Sequence, residues 1–220
     1  MEEQIEQIQE NTEEKTEEMK VQQAEEKRKK YREKRAEKEA AEAKKQAEEK
    51  LRREKFMRAA IRAAKSGMKK GEVPIGAVVV YENRVVSRGY NRRAEKQLAS
   101  AHAEMMAIDA ACRKFGSWRL PEGCELYVTL EPCPMCMGAA LNARVDRLYF
   151  GAYEQKGRSL TAALAEANLL NHKTEVTGGV AEAECSALLS GFFSALREKQ
   201  KAEKAERDAR KNSANNPEII

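Results

Sequence analysis

The first 55 residues, here called the arm, lack the apolar spacing of a helix that packs against a core. They contain no Gly, Pro or Cys and consist largely of Glu, Lys, Arg, Gln and Ala, which favour helix. A seam of apolar residues starts at Ile5, is lost between Gln22 and Glu33, and resumes as alanines from Ala36. This pattern predicts a charged, solvated helix with Glu–Lys pairs four residues apart, such as Glu26 with Lys30. A weak self-associating coiled coil and disorder are the alternatives.

From Phe56 the pattern becomes that of a folded domain. Apolar residues repeat at helical spacing from Phe56 to Ala64, and Ser66-Gly67 marks the end of that helix. The run 73–80 then predicts a buried strand, and after a turn at Glu82-Asn83 the alternating segment 84–90 predicts its hairpin partner.

The remaining pattern alternates between helices and strands. It predicts helices over 103–112, 134–142 and 162–170 and from Ala181, and strands over 125–129, 147–151 and 174–177. Pro134 suits the first turn of its helix, because its missing N–H would have no partner there. Such alternation predicts a three-layer α/β/α sandwich. We therefore expect the arm at 1–55, one domain at 56–199, and a charged, then polar, tail at 200–220 that frays.

The charge balance separates the arm from the domain. Residues 1–55 carry 17 Glu and 16 Lys or Arg, whereas the remainder carries 25 Lys or Arg and 19 Asp or Glu. A surplus of +6 is compatible with RNA binding but also with an ordinary domain. No apolar run approaches the roughly 20 residues of a membrane span, and the first residues do not resemble a signal peptide. These features predict a cytoplasmic protein with no membrane partner.

Two short motifs carry the candidate chemistry. His102 precedes Glu104 by two residues, and Cys133 and Cys136 form a Cys-x-x-Cys pair that begins after Pro132. One imidazole and two thiolates can hold Zn²⁺ tetrahedrally with the fourth position open, and a carboxylate that is not a ligand can then move protons. The order H-x-E followed by P-C-x-x-C is typical of zinc-dependent base deaminases.

Other roles for these motifs remain open from the sequence. A structural zinc site would need a fourth ligand, either His172 or one of the remaining cysteines, and the Cys-x-x-Cys pair alone could be a redox pair. The protein has an odd number of cysteines without disulfide-framework spacing, which predicts that the other three are reduced packing residues: Cys112, Cys124 and Cys185.

Residues 56–199 resemble the bacterial tRNA-specific adenosine deaminases of the cytidine and deoxycytidylate deaminase superfamily. The resemblance covers both motifs and the sequence around them. The matching runs are 72–80, 89–92, 101–104, 127–139, 150–152, 171–172 and 188–193.

The resemblance implies a mixed five-stranded sheet, a homodimer, one zinc ion per subunit and Glu104 as the proton shuttle. It assigns zinc to His102, Cys133 and Cys136. It further implies that tRNA is the partner, with no DNA expected, and that the substrate is the arginine tRNA whose anticodon begins with adenosine. In this reading Asn91 hydrogen-bonds the flipped adenine, and the other substrate contacts are Pro74 and Ile75 in the pocket wall and Phe193 and Arg197 on the last helix.

Several alternatives accompany this interpretation. Asn91 could be a turn residue, Phe192 could be core, and Lys156 and Arg158 could be loop charges instead of phosphate contacts. The same zinc motif also suits a small-molecule deaminase of guanine or a cytosine nucleotide. A non-catalytic RNA-binding or scaffolding module with the same fold is a further alternative. The chain departs from the family in a shorter loop at 151–160, in residues 97–100, which lack Asp-Pro, and in the arm, for which we expect a role in reach or in RNA-independent partner binding.

Overall fold

The computed structural model describes the backbone of residues 2–154, 161–167 and 171–214, with side chains described except at 2–18, 20–25, 209 and 211–214. The chain divides into two units, 1–51 and 52–220. The first unit is entirely helical where it is described, and helix α1 spans Glu2–Met68. The helix predicted for the arm is confirmed, and so is the pair between Lys30 and Glu26, at 2.7 Å.

A tight hairpin opens the second unit's sheet, as the sequence predicts. Strands β1 (Gly76–Tyr81) and β2 (Arg84–Tyr90) are joined by Glu82 and Asn83 alone. Both turn residues have positive φ, 47° and 60°, which is the conformation of the two-residue turn that matches the twist of antiparallel strands.

The later elements follow the predicted order with two differences. They are α2 (Arg93–Lys96), α3 (Ala103–Phe115), β3 (Glu125–Leu130), α4 (Pro134–Asn142), β4 (Arg147–Ala152), α5 (Thr161–Glu166), β5 (Glu175–Thr177) and α6 (Glu182–Ala214). Helix α2 was not predicted, and the expected end of α5 at 168–170 lies outside the described residues. The segment 200–214, which we expected to fray, continues α6, because its Lys, Glu, Arg and Ala residues favour helix and no Gly or Pro interrupts them.

The sheet has five strands in the order β2-β1-β3-β4-β5. Strand β1 is antiparallel to β2 and β3, whereas β3, β4 and β5 are mutually parallel. The mixed five-stranded sheet implied by the resemblance is therefore present.

Alternate residues along the central strands separate two apolar layers. Val79, Leu126 and Leu148 belong to one layer, with residues of α3, α4 and α5. Val78, Tyr127 and Tyr149 belong to the other, with residues 56–61 of α1 and Cys185 of α6. Because side chains alternate between the faces of a strand, the sheet lies between two helical layers, and the predicted three-layer α/β/α class is confirmed.

A buried ion cluster closes the amino end of β3. The Glu125 carboxylate is 1% exposed and lies 2.8 Å from Arg52 Nη2 and 2.7 Å from Arg147 Nη2. It also accepts a hydrogen bond from the Tyr127 hydroxyl at 2.9 Å. Two guanidinium groups and a hydroxyl thus offset the cost of removing this carboxylate from water.

The three cysteines outside the candidate site are free thiols, as predicted. Cys124 and Cys185 are fully buried, and burial raises the pKa of each thiol to about 12, so they remain protonated and pack as small apolar groups. Among the described helices, none is both long and apolar enough to cross a membrane.

Gly76 allows β1 to approach α1 closely, and this contact makes a stability prediction. A Cβ at Gly76 would overlap the Ala60 carbonyl oxygen and the Ala64 backbone nitrogen, which cannot move without shifting the helix. We expect Gly76→Ala to lower the free energy of unfolding by about 1–3 kcal/mol in urea denaturation. Gly191→Ala is the matched control, because a Cβ in that helix has no neighbour within 4 Å and should stabilise by about 0.5–1 kcal/mol. Equal stability of the two variants would contradict the close approach.

Candidate active site

Two helices begin with candidate zinc ligands in the place of ordinary capping residues. His102 precedes α3 and Cys133 precedes α4, both in extended conformation with ψ of 157° and 165°. Neither side chain makes a capping hydrogen bond to its helix. Cys136 lies in the first turn of α4, behind Pro134. Both ligand-bearing segments are therefore helix amino ends, where backbone N–H groups favour negative charge such as a thiolate.

The three ligand atoms lie at the spacing of a tetrahedral zinc site. His102 Nδ1 is 3.7 Å from Cys133 Sγ and 3.5 Å from Cys136 Sγ. With Zn–N near 2.0 Å and Zn–S near 2.3 Å, tetrahedral geometry places nitrogen and sulfur about 3.5 Å apart. The two sulfurs and the nitrogen all fall within 4.8 Å of one another. These residues could hold zinc without rearrangement.

The electrostatic surroundings suit a metal cation. Cys136 is fully buried, and this burial raises the pKa of its thiol, so that a positive charge is needed to hold it as a thiolate. Burial, followed by the charge of Arg93, lowers the pKa of His102, which keeps the imidazole neutral and able to bind metal near neutral pH.

Glu104 lies beside this group and is poised to move protons. Its side chain is buried, and burial raises the pKa of its carboxyl group. Among the side chains that the structure describes, its Oε2 is the one fully buried nitrogen or oxygen without a hydrogen-bond partner. A buried polar atom is normally paired, so this oxygen fits a site completed by water and a metal ion.

The structural-zinc alternative is not supported. Within the described ranges, the candidate metal group contains one histidine and two cysteines and no fourth such ligand. His172 instead has Nε2 2.8 Å from the Val145 carbonyl oxygen. A site with three protein ligands and an open position is the catalytic form of zinc.

The structure also brings Asn91 and Ile75 close to the start of α3. The Asn91 N–H donates to the Ile75 carbonyl oxygen at 3.0 Å, and the next N–H, of Arg92, donates to Ala101 at 2.9 Å. Asn91 and Pro74 are buried and Ile75 is half-buried. Asn91 and Ile75 are thus joined by a hydrogen bond, and Pro74 is the chain neighbour of Ile75. These three residues, all predicted to belong to the pocket, lie beside the segment that leads into His102.

The residues predicted on the last helix lie elsewhere. Phe193 is 40% exposed and Arg197 is exposed, while Phe192 is half-buried. Helix α6 packs on the sheet face opposite α3 and α4, so the structure does not place these two side chains with the zinc ligands. Lys156 and Arg158 lie outside the described residues.

Several polar residues that support the site received no role in the sequence analysis. Glu72 accepts a hydrogen bond from Asn91 Nδ2 at 2.9 Å, Thr129 Oγ1 accepts one from the Gly76 N–H at 3.1 Å, and Thr161 Oγ1 donates to the Pro132 carbonyl at 3.1 Å. Glu131 accepts a hydrogen bond from the Glu154 N–H at 3.2 Å. Glu72, Thr129 and Glu131 lie in runs that resemble the family, at 72–80 and 127–139, whereas Thr161 has no pattern that distinguishes it.

Comparison with known proteins agrees with this geometry. Residues 50–152 match the family model of the cytidine and deoxycytidylate deaminase zinc-binding region. A tRNA-specific adenosine deaminase of Bacillus subtilis is 48% identical over 161 residues, which cover 72% of this chain and 96% of that protein.

Two solved structures share the fold. One comes from work on A-to-I editing by tRNA:A34 deaminases at the wobble position; it is 43% identical, covers 61% of this chain and 98% of its own, and has a TM-score of 0.56. A guanine deaminase from Nitrosomonas europaea also has a TM-score of 0.56, at 24% identity, over 63% of this chain and 83% of its own. That second likeness concerns the fold alone. Together with the site, the first structure and the relative at 48% identity establish that this chain belongs to the tRNA-specific adenosine deaminases.

Proposed function

We propose that this protein hydrolyses the exocyclic amine of adenosine to give inosine at the wobble position of a tRNA anticodon loop. The observation that carries the proposal is the buried Oε2 atom of Glu104, which has no hydrogen-bond partner among the described side chains, beside an open His–Cys–Cys site. The choice of adenosine in tRNA over other bases is supported by the relatives named above.

In the proposed reaction, His102, Cys133 and Cys136 hold the zinc ion. When bound, zinc lowers the pKa of water and so supplies a nucleophile near neutral pH. As the water oxygen bonds to the carbon that bears the amine, Glu104 accepts a proton from the water and donates it to the adjacent ring nitrogen. Glu104 then moves the remaining proton from the new hydroxyl group to the amine, the carbon–nitrogen bond breaks, and ammonia leaves. The raised pKa of Glu104 suits this exchange, because a carboxyl group that titrates closer to neutral pH both accepts and donates protons readily.

The base must leave the RNA stack to reach this site. Anticodon loops present unstacked bases, so an adenine there costs little to capture. In this proposal Asn91 hydrogen-bonds the adenine, Pro74 and Ile75 wall the pocket, and Phe193 and Arg197 contact the rest of the loop. The exposure of Phe193, at 40%, leaves its ring available for stacking on a base.

The finer identity of the system follows from the family pattern. We expect the arginine tRNA whose anticodon begins with adenosine as substrate, a homodimer as the assembly, and the cytoplasm, where tRNA is modified, as the location. The catalytic domain is expected at 56–199 with the arm as an addition.

The direct test is conversion of an anticodon stem-loop. Purified protein with zinc is incubated with the stem-loop, and reverse transcription reads A-to-G changes at the first anticodon position. We expect conversion at that adenosine and none at adenosines in the stem, since paired bases remain stacked. Activity confined to free guanine, cytidine or deoxycytidylate would replace the proposed function with that of a small-molecule deaminase.

Glu104→Ala separates metal binding from proton transfer. Because Glu104 is not a ligand in this account, the variant should keep one zinc per chain, measured by atomic emission. Its single-turnover rate should fall by about 100-fold or more, the usual effect of losing a general acid–base group. Glu122→Ala, at an exposed glutamate, is the matched control and should retain full activity. Loss of zinc together with activity would mean that Glu104 is misassigned.

A further inference from the structure

We infer that Glu72 is a positioning residue for base recognition, acting by fixing the orientation of the Asn91 side-chain amide. The inference rests on the proposed function, in which Asn91 contacts the adenine. Glu72 lies between the end of α1 and the start of β1, and it belongs to neither of the two motifs that carry the zinc ligands.

Glu72 holds residues 91–95 in place through three hydrogen bonds. Its carboxylate is 2% exposed and accepts from Asn91 Nδ2 at 2.9 Å. It also accepts from the backbone N–H groups of Glu95 at 2.7 Å and Ala94 at 3.3 Å. These two N–H groups belong to the first turn of α2, whose preceding residue, Arg92, makes no capping hydrogen bond. One buried carboxylate thus fastens both the Asn91 side chain and the helix that follows it.

An acceptor-only partner determines which way an amide faces. An ionised carboxylate cannot donate, so the NH₂ group of Asn91 must face Glu72 and its oxygen must face away. Among the described residues, that oxygen accepts no hydrogen bond from the protein, and it is not one of the fully buried unpaired atoms. Asn91 is thereby fixed to offer an acceptor, together with its second amide hydrogen, to a base.

Replacement of Glu72 by glutamine should reverse this amide while keeping the backbone in place. The glutamine oxygen can remain under the Glu95 N–H, the shorter of the two backbone bonds, only if the new NH₂ group faces Asn91. Asn91 must then rotate its amide to present oxygen to that NH₂ group. The donor and acceptor offered to the base are exchanged, although α2 retains its principal contact.

A double-mutant cycle tests this role on the full chain with zinc. The enzymes are the unmodified protein, Glu72→Gln, Asn91→Ala and the double variant, each measured for its single-turnover rate and its Kd for the anticodon stem-loop. We expect Glu72→Gln to lower the rate by about 10- to 100-fold, as expected for one misplaced hydrogen bond, with Kd changed less than about 2-fold. In the Asn91→Ala background the same change should cost less than about 2-fold, because the amide it orients is gone.

Glu125→Gln is the matched control, since it removes charge from another buried glutamate. Glu125 lies at the amino end of β3, whereas the cysteine ligands follow the carboxyl end of that strand. The Glu125→Gln change should lower Tm and leave the rate unchanged. If Glu72→Gln lowers the rate equally in both backgrounds, or in neither, the inference about Glu72 is overturned but the proposed function is not. An unmodified protein that leaves the stem-loop unconverted would overturn the proposed function, and this inference with it.

A separate observation concerns the arm, where we propose that residues 27–35, the basic cluster, bind RNA phosphates outside the anticodon loop. This also rests on the proposed function, and it replaces the RNA-independent role that the sequence led us to expect for the arm. The cluster holds seven Lys or Arg and one Glu, whereas residues 1–26 hold ten Glu and two Lys. Residues 36–55 are mixed, with six Glu and seven Lys or Arg. A helix stabilised only by pairs four residues apart would mix the two signs throughout, as 36–55 does.

The exposure of the cluster fits a polyanionic partner. Every side chain from 26 to 35 is exposed, including Tyr31 at 70%, whose ring is thus available to stack on a base. Nine residues cover about two and a half helical turns, so positive charge surrounds the helix. Lys30 and Arg35 form ion pairs with Glu26 and Glu39, but exposed pairs of this kind are weak and can be exchanged for phosphate.

The test compares two full-length variants that each lose four lysines. In the cluster variant the lysines at 27, 29, 30 and 34 become Gln, and in the control those at 38, 44, 45 and 50 become Gln. Binding of whole transcribed tRNA is measured across a salt series, with circular dichroism to verify that both arms stay helical. We expect the cluster variant to bind about 10-fold more weakly, with the slope of log K against log salt reduced by about 2 to 3.

The control variant should bind tRNA as the unmodified protein does. Equal binding by the two variants, or binding of the cluster to anionic vesicles with no effect on tRNA, would overturn this proposal. Conversion of the anticodon stem-loop by the unmodified protein is scored separately, so that failure of the cluster and failure of the proposed function give different results.

Discussion

The structure depends on the meeting of two helix amino ends at one group of metal-binding atoms. His102 begins α3 and Cys133 begins α4, and their side chains converge with Cys136 at 3.5 to 3.7 Å instead of capping their own helices. A buried thiol beside a buried carboxylate with one unpaired oxygen would be costly in an apolar interior. A bound cation lowers this cost, because its positive charge stabilises both the thiolates and the neighbouring carboxylate.

The sheet supports this meeting point from one side. Alternate residues of β1, β3 and β4 form the apolar layer that holds α3 and α4, while the opposite layer holds α1 and α6. The Asn91 N–H is hydrogen-bonded to Ile75, directly before β1, and the Arg92 N–H is hydrogen-bonded to Ala101, just before the start of α3. The groups proposed to read the base are therefore fixed to the same framework as the groups proposed to react with it.

Local signals made much of this predictable from sequence. Pro134 identified the start of α4, the alternation at 84–90 identified β2, and the His, Glu and Cys spacing identified the metal group. Helix α2 was missed because it has only four residues, and its first turn is held by Glu72, some twenty residues earlier in the chain. The sequence also did not reveal that α6 packs on the sheet face opposite the ligand-bearing helices. That position depends on sheet topology, which no local sequence pattern contains.

X-ray absorption at the zinc edge of the purified full-length protein measures the proposed ligand set itself. We expect one zinc per chain, with two sulfur ligands near 2.3 Å, one imidazole nitrogen near 2.0 Å and a fourth light ligand that is not supplied by the protein. A closed shell of four protein ligands, or a protein that holds no zinc after purification in its presence, would contradict it.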